Sequence, residues 1–254
     1  MPTLTLDDYL AAIESDSAAL AQAVRAAGPD APVPTCPDWT AADLLDHVGG
    51  VHHRVAEAVR TRAQGYVALQ DLGPQPPFEE GVAALVSVLR DTPADEPVWN
   101  WSLNGPKVAG FWPRRMAQET TVHRWDGQVA AGAGAGAGSG AGAAIDPALA
   151  VDGIDELLDV FLTTFISRVP DLSLPGTLHV HCTDVEGEWL VGIGGGVADI
   201  TRAHAKGDCA VRAGASDLLL LLWNRIDPGS EAGSGSFEVF GDASVLEAWR
   251  HFRI

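Results

Sequence analysis

The spacing of apolar residues is helical over roughly the first two thirds of this chain and then turns to alternation, and that change restricts the fold more than any other feature. Helical repeats of 3.6 residues and strand alternation of two are incompatible patterns, so each segment declares its own secondary structure. In the first half the helical period dominates. Leu6, Leu10, Ile13, Leu20 and Val24 run to Gly28-Pro29 with acidic Asp7 and Asp8 in the first turn, which predicts a first helix. After a turn-rich stretch, Thr40 is placed to cap a second helix with Leu44, Leu45, Val48, Val51, Val55 and Val59 on one stripe. Val82, Leu85, Val86 and Leu89 predict a third over residues 78–90, and a fourth runs over about 108–130. Four such helices predict an antiparallel bundle.

Beyond residue 146 one more helix is expected, with Leu149, Ile154, Leu157, Leu158, Phe161 and Phe165 leading to Val169-Pro170. The period then becomes two. Residues 177–183, 188–193 and 197–202 alternate and read as a three-stranded meander. A short strand at 209–212, a helix at 216–225, a strand at 237–240 and a last helix from Ala243 complete the pattern. The fold class is therefore α+β: a four-helix bundle over residues 1–130, a connector over 131–145, and a smaller α+β domain over 146–254. Residues 130–144 are almost wholly alanine and glycine, a composition expected to form a mobile linker reaching about 20 Å.

With 254 residues, 46% of them hydrophobic, the chain has ample material for these cores. A formal charge of −18 repels phosphate backbones and anionic lipid, so neither nucleic acid nor a membrane is an expected partner. An anionic small molecule must be met by a local arginine or a metal ion. Cys36, Cys182 and Cys209 are odd in number and far apart, which favours reduced thiols in a cytoplasmic setting over a disulfide framework. No secretory leader pattern opens the sequence, and the apolar run at 218–223 is much shorter than the roughly 20 residues that span a bilayer.

The chemistry concentrates in Glu119-Thr120-Thr121-Val122-His123-Arg124-Trp125-Asp126-Gly127. A carboxylate and an imidazole four positions apart lie on one helical face, the spacing of metal ligands. Catalytic zinc usually takes three protein ligands and keeps a fourth position for water or substrate. His47, on the second helix, is the best third candidate. His52 and His53 fall off its face and are assigned to a polar surface or the mouth of the pocket. Asp126 either orients a ligand histidine or, with Gly127, forms a turn. Cys36 has no basic neighbour to activate it and is read as a small buried residue. His179 and His181 alternate on a strand and offer a rival metal pair with Cys182 or Cys209, but a solvated sheet face is the simpler reading. Trp39, Trp112, Trp125 and Trp223 are read as core residues, with Trp39 and Trp125 flanking the candidate site.

Three motifs carry a resemblance: Cys36-Pro37-Asp38-Trp39-Thr40 leading to Asp46-His47; Glu119-x-x-x-His123-Arg124-Trp125-Asp126; and the 215–225 block ending Trp223-Asn224-Arg225, followed by Val239-Phe240-Gly241-Asp242. Together they resemble the mycothiol-dependent maleylpyruvate isomerase family, whose N-terminal half is a DinB-like four-helix bundle. The resemblance implies a divalent metal, commonly zinc, on His47, Glu119 and His123, and mycothiol as thiol cofactor. It also implies an arginine from the C-terminal domain at the site, which by motif is Arg225. Arg54 and Arg124 are weaker choices, and Arg124 is expected in a structural ion pair.

Isomerising maleylpyruvate to fumarylpyruvate requires a nucleophile to add to a cis double bond, rotation about the single bond so formed, and loss of the nucleophile. A thiolate suits this, and a guanidinium suits the substrate's carboxylates. Two other functions fit the same residues: a mycothiol S-transferase acting on another electrophile, and a non-catalytic metal or small-molecule binding module. The assembly is expected to be a monomer or weak homodimer.

Overall fold

A computed structural model describes residues 3–134, 142–229 and 237–252. They fall into two compact units, Leu4–Trp101 with Gly105–Ala143, and Ser102–Asn104 with the chain from Ala144 onward.

The first unit is built from helices α1 (Leu6–Ala27), α2 (Ala41–Arg60), α3 (Phe78–Asp91) and α4 (Phe111–Gly134). Two of them begin with the same device. Thr5 and Thr40 accept a hydrogen bond from the backbone N–H three residues on, while Asp8 and Asp43 accept from the threonine N–H in return. These reciprocal bonds satisfy donors that a helix start otherwise leaves orphaned. Leu10, Ile13 and Leu20 of α1, Leu44, Val48 and Val59 of α2, and Leu85 of α3 are fully buried on the expected stripes. Burying each is worth roughly 1.5–3 kcal/mol before the entropy of ordering is set against it.

Helix α4 is unlike the others. Gln118, Thr120, Thr121, Arg124 and Asp126 are all buried within it, so its polar groups must find partners inside the protein. Thr121 Oγ1 donates to Asp16 Oδ2 at 2.6 Å, and Arg124 Nε pairs with Asp16 Oδ1 at 3.2 Å, which ties α4 to α1. Gly127 makes the approach close enough, since a Cβ there would stand 2.7 Å from Leu20 Cδ1. Asp126-Gly127 is thus helix interior and no turn. The helix also runs on through Ala130-Ala131-Gly132-Ala133-Gly134, past the expected boundary. Alanine has the highest helix propensity, and Ala130 is buried, so the ladder propagates into the tract. The mobile linker expected at 131–145 lies, over 135–141, outside the described residues.

The second unit opens with α5 (Pro147–Glu156), capped by the Asp146 side chain, then a π-helical turn at Leu157–Leu162 and a short α6 (Thr163–Ile166). A single unbroken helix was the expectation. The strands are β1 (Leu178–Cys182), β2 (Glu188–Gly194), β3 (Val197–Thr201), β4 (Cys209–Ala213) and β5 (Glu238–Gly241), in the order β3-β2-β1-β4-β5. Strands β1 to β3 form the expected antiparallel meander, whereas β4 pairs with β1 in parallel.

Alternation gives the sheet two different faces. Leu178, Val180, Trp189, Val191, Cys209 and Val211 are wholly buried on one. Their companions in this core include α7 (Ala215–Leu222), which is buried throughout and apolar on every side from Leu218 onward. Helix α8 (Ala243–Arg250) closes the unit. The other face carries His179, His181 and Glu188. No helix among the described residues is long and apolar enough to cross a membrane.

Candidate functional site

Within the bundle, α2 and α4 bring three predicted side chains to one point. Glu119 Oε1 lies 3.2 Å from His47 Nε2 and 3.5 Å from His123 Nε2, and the ligand atoms of all three lie within 4.8 Å of one another. Helical geometry explains the pair on α4: positions 119 and 123 are one turn apart and face α2 together.

The surroundings fix both α4 side chains. Asp126, buried one turn further on, stands 2.9 Å from His123 Nδ1 and so turns Nε2 toward Glu119. Thr35 Oγ1 donates to the second oxygen of Asp126 at 2.6 Å. Carboxylate–histidine pairs of this kind set tautomer and ring orientation in metal sites. Glu119 Oε2 accepts from Arg115 Nη2 at 3.0 Å, with the guanidinium almost wholly buried. One carboxylate oxygen is therefore anchored while the other faces the two imidazoles. Arg115 sits at i−4 to Glu119; that spacing was visible in the sequence, and sequence reasoning passed over it.

The charges follow from this arrangement. Burial pushes the Glu119 carboxyl upward, but hydrogen bonds from His123 and His47 and the charge on Arg115 outweigh it and hold the group well below its ordinary range. Burial likewise opposes charging His123, yet its bonds to Asp126 and Glu119 raise it to about 9. In the absence of an ion the proton on His123 sits between the carboxylates of Asp126 and Glu119, and a cation would bind there by displacing it, because an imidazole ligates only when neutral. Two imidazoles and a carboxylate fit zinc in number and in donor type.

Trp39 walls the site, its ring centroid 4.6 Å from that of His47 and 6.1 Å from that of His123. Beside His47 opens a cavity of about 500 Å³ lined by Trp39, Asp46, Arg54, Leu69 and Gln75 among others. Arg54 stacks over Tyr66 at 5.4 Å, and among the described residues no carboxylate pairs with it. Arg124, in contrast, is taken up by Asp16, Gln128 and the Ala143 carbonyl. Cys36 Sγ lies 3.9 Å from Asp126 Oδ2, close to His123, and is only partly buried. Arg225 belongs to the second unit, where its Nη1 donates to the Trp223 carbonyl at 2.9 Å.

His52 departs from expectation. It faces neither the surface nor the pocket mouth but is fully buried, bonded to Thr120 Oγ1 at 2.9 Å and stacked near Phe78. Because Thr120 gives its own proton to the Met116 carbonyl, His52 Nε2 is the donor. Burial drives its pKa down from 6.5 to about 4. An unfolded His52 takes a proton below about pH 6.5 that the folded chain refuses until about pH 4. Stability is therefore lost as pH falls through that window, by about 3 kcal/mol at its lower end. Urea unfolding of the metal-free protein at pH 7 and pH 4.5 is expected to show a smaller acid loss in His52→Gln; an identical loss would remove His52 as its source.

A protein of the α+β class whose helical bundle gathers a His-Glu-His cluster is thereby defined. The chain matches the Mycothiol maleylpyruvate isomerase N-terminal domain over residues 10–128 and the MDMPI C-terminal domain over residues 148–248, and it belongs to the mycothiol maleylpyruvate isomerase family. No curated protein matches it. Among solved structures it is similar to the stereoselective inverting sec-alkylsulfatase Pisa1 from Pseudomonas sp., at 12% identity and a TM-score of 0.30, over 83% of this chain and 43% of that one. A double mutant of sec-alkyl sulfatase PisA1 gives 10% identity and a TM-score of 0.29, over 82% and 43%. The chain thus spans less than half the length of these sulfatases, and at such scores neither informs its fold or chemistry.

Proposed function

We propose that this protein is a zinc- and mycothiol-dependent enzyme that converts maleylpyruvate to fumarylpyruvate by cis–trans isomerisation. The observation that carries the reading is the convergence of His47 Nε2, Glu119 Oε1 and His123 Nε2 beside an open cavity. His47, Glu119 and His123 would hold the ion, with Asp126 and Arg115 fixing His123 and Glu119. A zinc ion supplies a Lewis-acidic position that deprotonates a thiol whose ordinary pKa is about 8.5.

The chain's own residues do the rest. Trp39 shields one side of the cluster from water, which strengthens every charge interaction there. Substrate carboxylates approach against a net charge of −18, so a guanidinium must receive them. Arg54 lines the cavity with its Nε buried, and among the described residues its guanidinium rests on the face of Tyr66 rather than on a carboxylate, which leaves its paired donors available to a substrate carboxylate. Arg225 is the second anchor, supported by its place in the family's C-terminal motif.

Arg54→Ala is expected to keep the metal and raise KM for maleylpyruvate by about 10- to 100-fold, the scale of one hydrogen bond to a charged group. Arg225→Ala is expected to do the same, and an unchanged KM in either variant removes that arginine from substrate binding. The reaction is tested by following fumarylpyruvate formation with catalytic mycothiol and titrating free thiol afterwards. Full recovery of the thiol supports isomerisation. Thiol consumed in proportion to product points to an S-transferase instead, and zinc binding with no turnover of either kind points to a binding module.

A further inference from the structure

The second unit holds a cluster that the proposed chemistry leaves unused. Strand alternation puts His179 and His181 on the sheet face opposite the apolar core, and the β1–β2 register sets Glu188 directly across from His181. Cys182 and Cys209, the partners the sequence offered, point to the other face. Cys182 is also inert, since burial together with Asp184 and Glu188 raises its pKa to about 12. The third imidazole comes from His204, in the connection between β3 and β4.

The geometry is convergent. Glu188 Oε2 lies 3.0 Å from His179 Nε2, 3.2 Å from His181 Nδ1 and 2.7 Å from His204 Nδ1. The three ring planes stand 78°, 85° and 80° to one another, so their nitrogens approach from separate directions. The four ligand atoms all lie within 4.8 Å of one another. A carboxylate oxygen offers two lone pairs, and three imidazole donors oversubscribe it. Arg212, in register with His181 on β4, pairs with Glu238 at 3.4 Å.

We propose that His179, His181, Glu188 and His204 form a second divalent-cation site, sharing no residue with the cluster in the bundle. Three imidazoles and one carboxylate are a complete four-ligand set for zinc, the arrangement of a closed structural site. The negative chain concentrates cations near its surface. Exposure grades across the ligands: the His179 side chain is 8% exposed and that of His204 is 82%. Three ligands are therefore preset on paired strands, and the fourth arrives from a connection. A bound ion pins that connection to the sheet.

The test uses the full chain, stripped with chelator, reloaded with micromolar zinc and analysed for metal after gel filtration. His181→Ala/His204→Ala is expected to carry one zinc fewer than the parent. In the His123→Ala background, zinc is expected to raise Tm, and adding His181→Ala/His204→Ala is expected to abolish that rise. These comparisons are read at the sheet cluster whether or not the bundle binds metal. Should the double variant fold poorly, His204→Ala, altering an exposed side chain, is expected to weaken this zinc at least tenfold. Equal zinc content with and without His181 and His204, or occupancy reached only at millimolar zinc, overturns the site.

Discussion

Replacing His123 by alanine is expected to give a folded bundle that has lost one equivalent of zinc and at least about two orders of magnitude of mycothiol-dependent isomerisation. His123 stands between Glu119 and Asp126 and supplies one of the two imidazole nitrogens of the cluster, so its loss leaves His47 and Glu119 as an incomplete set. Without a cation, a thiol at neutral pH is mostly protonated and a weak nucleophile. Helical content is expected to change little, because the core stripes of α1, α2 and α3 do not involve this residue. Metal analysis, circular dichroism and the isomerisation assay on one preparation check the three parts together. Undiminished zinc in the variant would detach His123 from the metal and with it the proposed mechanism.

The second large effect concerns Arg115. Its guanidinium is 3% exposed and bonds Glu119 Oε2 at 3.0 Å, so with His123 it compensates a carboxylate inside the protein, and it is the partner held on the oxygen turned away from the imidazoles. Removing one member of a buried ion pair leaves the other unsolvated, at a cost of about 3–5 kcal/mol. Metal-free Arg115→Met is expected to be destabilised on that scale in urea unfolding. Glu119→Gln in the same background should recover much of the loss, since the orphaned charge is gone. Saturating zinc should also restore stability in the single variant, as an ion beside Glu119 supplies positive charge in place of the guanidinium. A loss under about 1 kcal/mol, on the scale of an exposed pair, would show that Glu119 is well solvated without Arg115.

Much of this arrangement was legible in the sequence because it is local. The Thr5/Asp8 and Thr40/Asp43 caps, the stripe of α2, and the Glu119–His123 spacing all depend on neighbours within four positions. That two helices meet at His47 is non-local: the missing third ligand made His47 a candidate, and the family resemblance rather than spacing implied the full set. What escaped was set by packing. His52 looked like a surface or pocket residue because polarity is what a sequence displays, whereas its burial is decided by Thr120 and Phe78 on other helices. The parallel pairing of β1 with β4 brings the 202–208 connection toward the face of β1, and no pattern near His204 announces that Glu188 and His179 await it. The helical run through Gly134 was hidden by a composition that reads as linker when taken alone.

The most extensive helix contact in the bundle is between its first and last members, α1 and α4. During synthesis α1 emerges about a hundred residues ahead of the partner that covers it, and contacts so remote in sequence form slowly. Helices α2 and α3 can cover part of the apolar face of α1, but the part that meets α4 stays exposed on the ribosome until α4 has left the exit tunnel. A chain halted between α3 and α4 would present a sticky apolar ridge and invite chaperone capture.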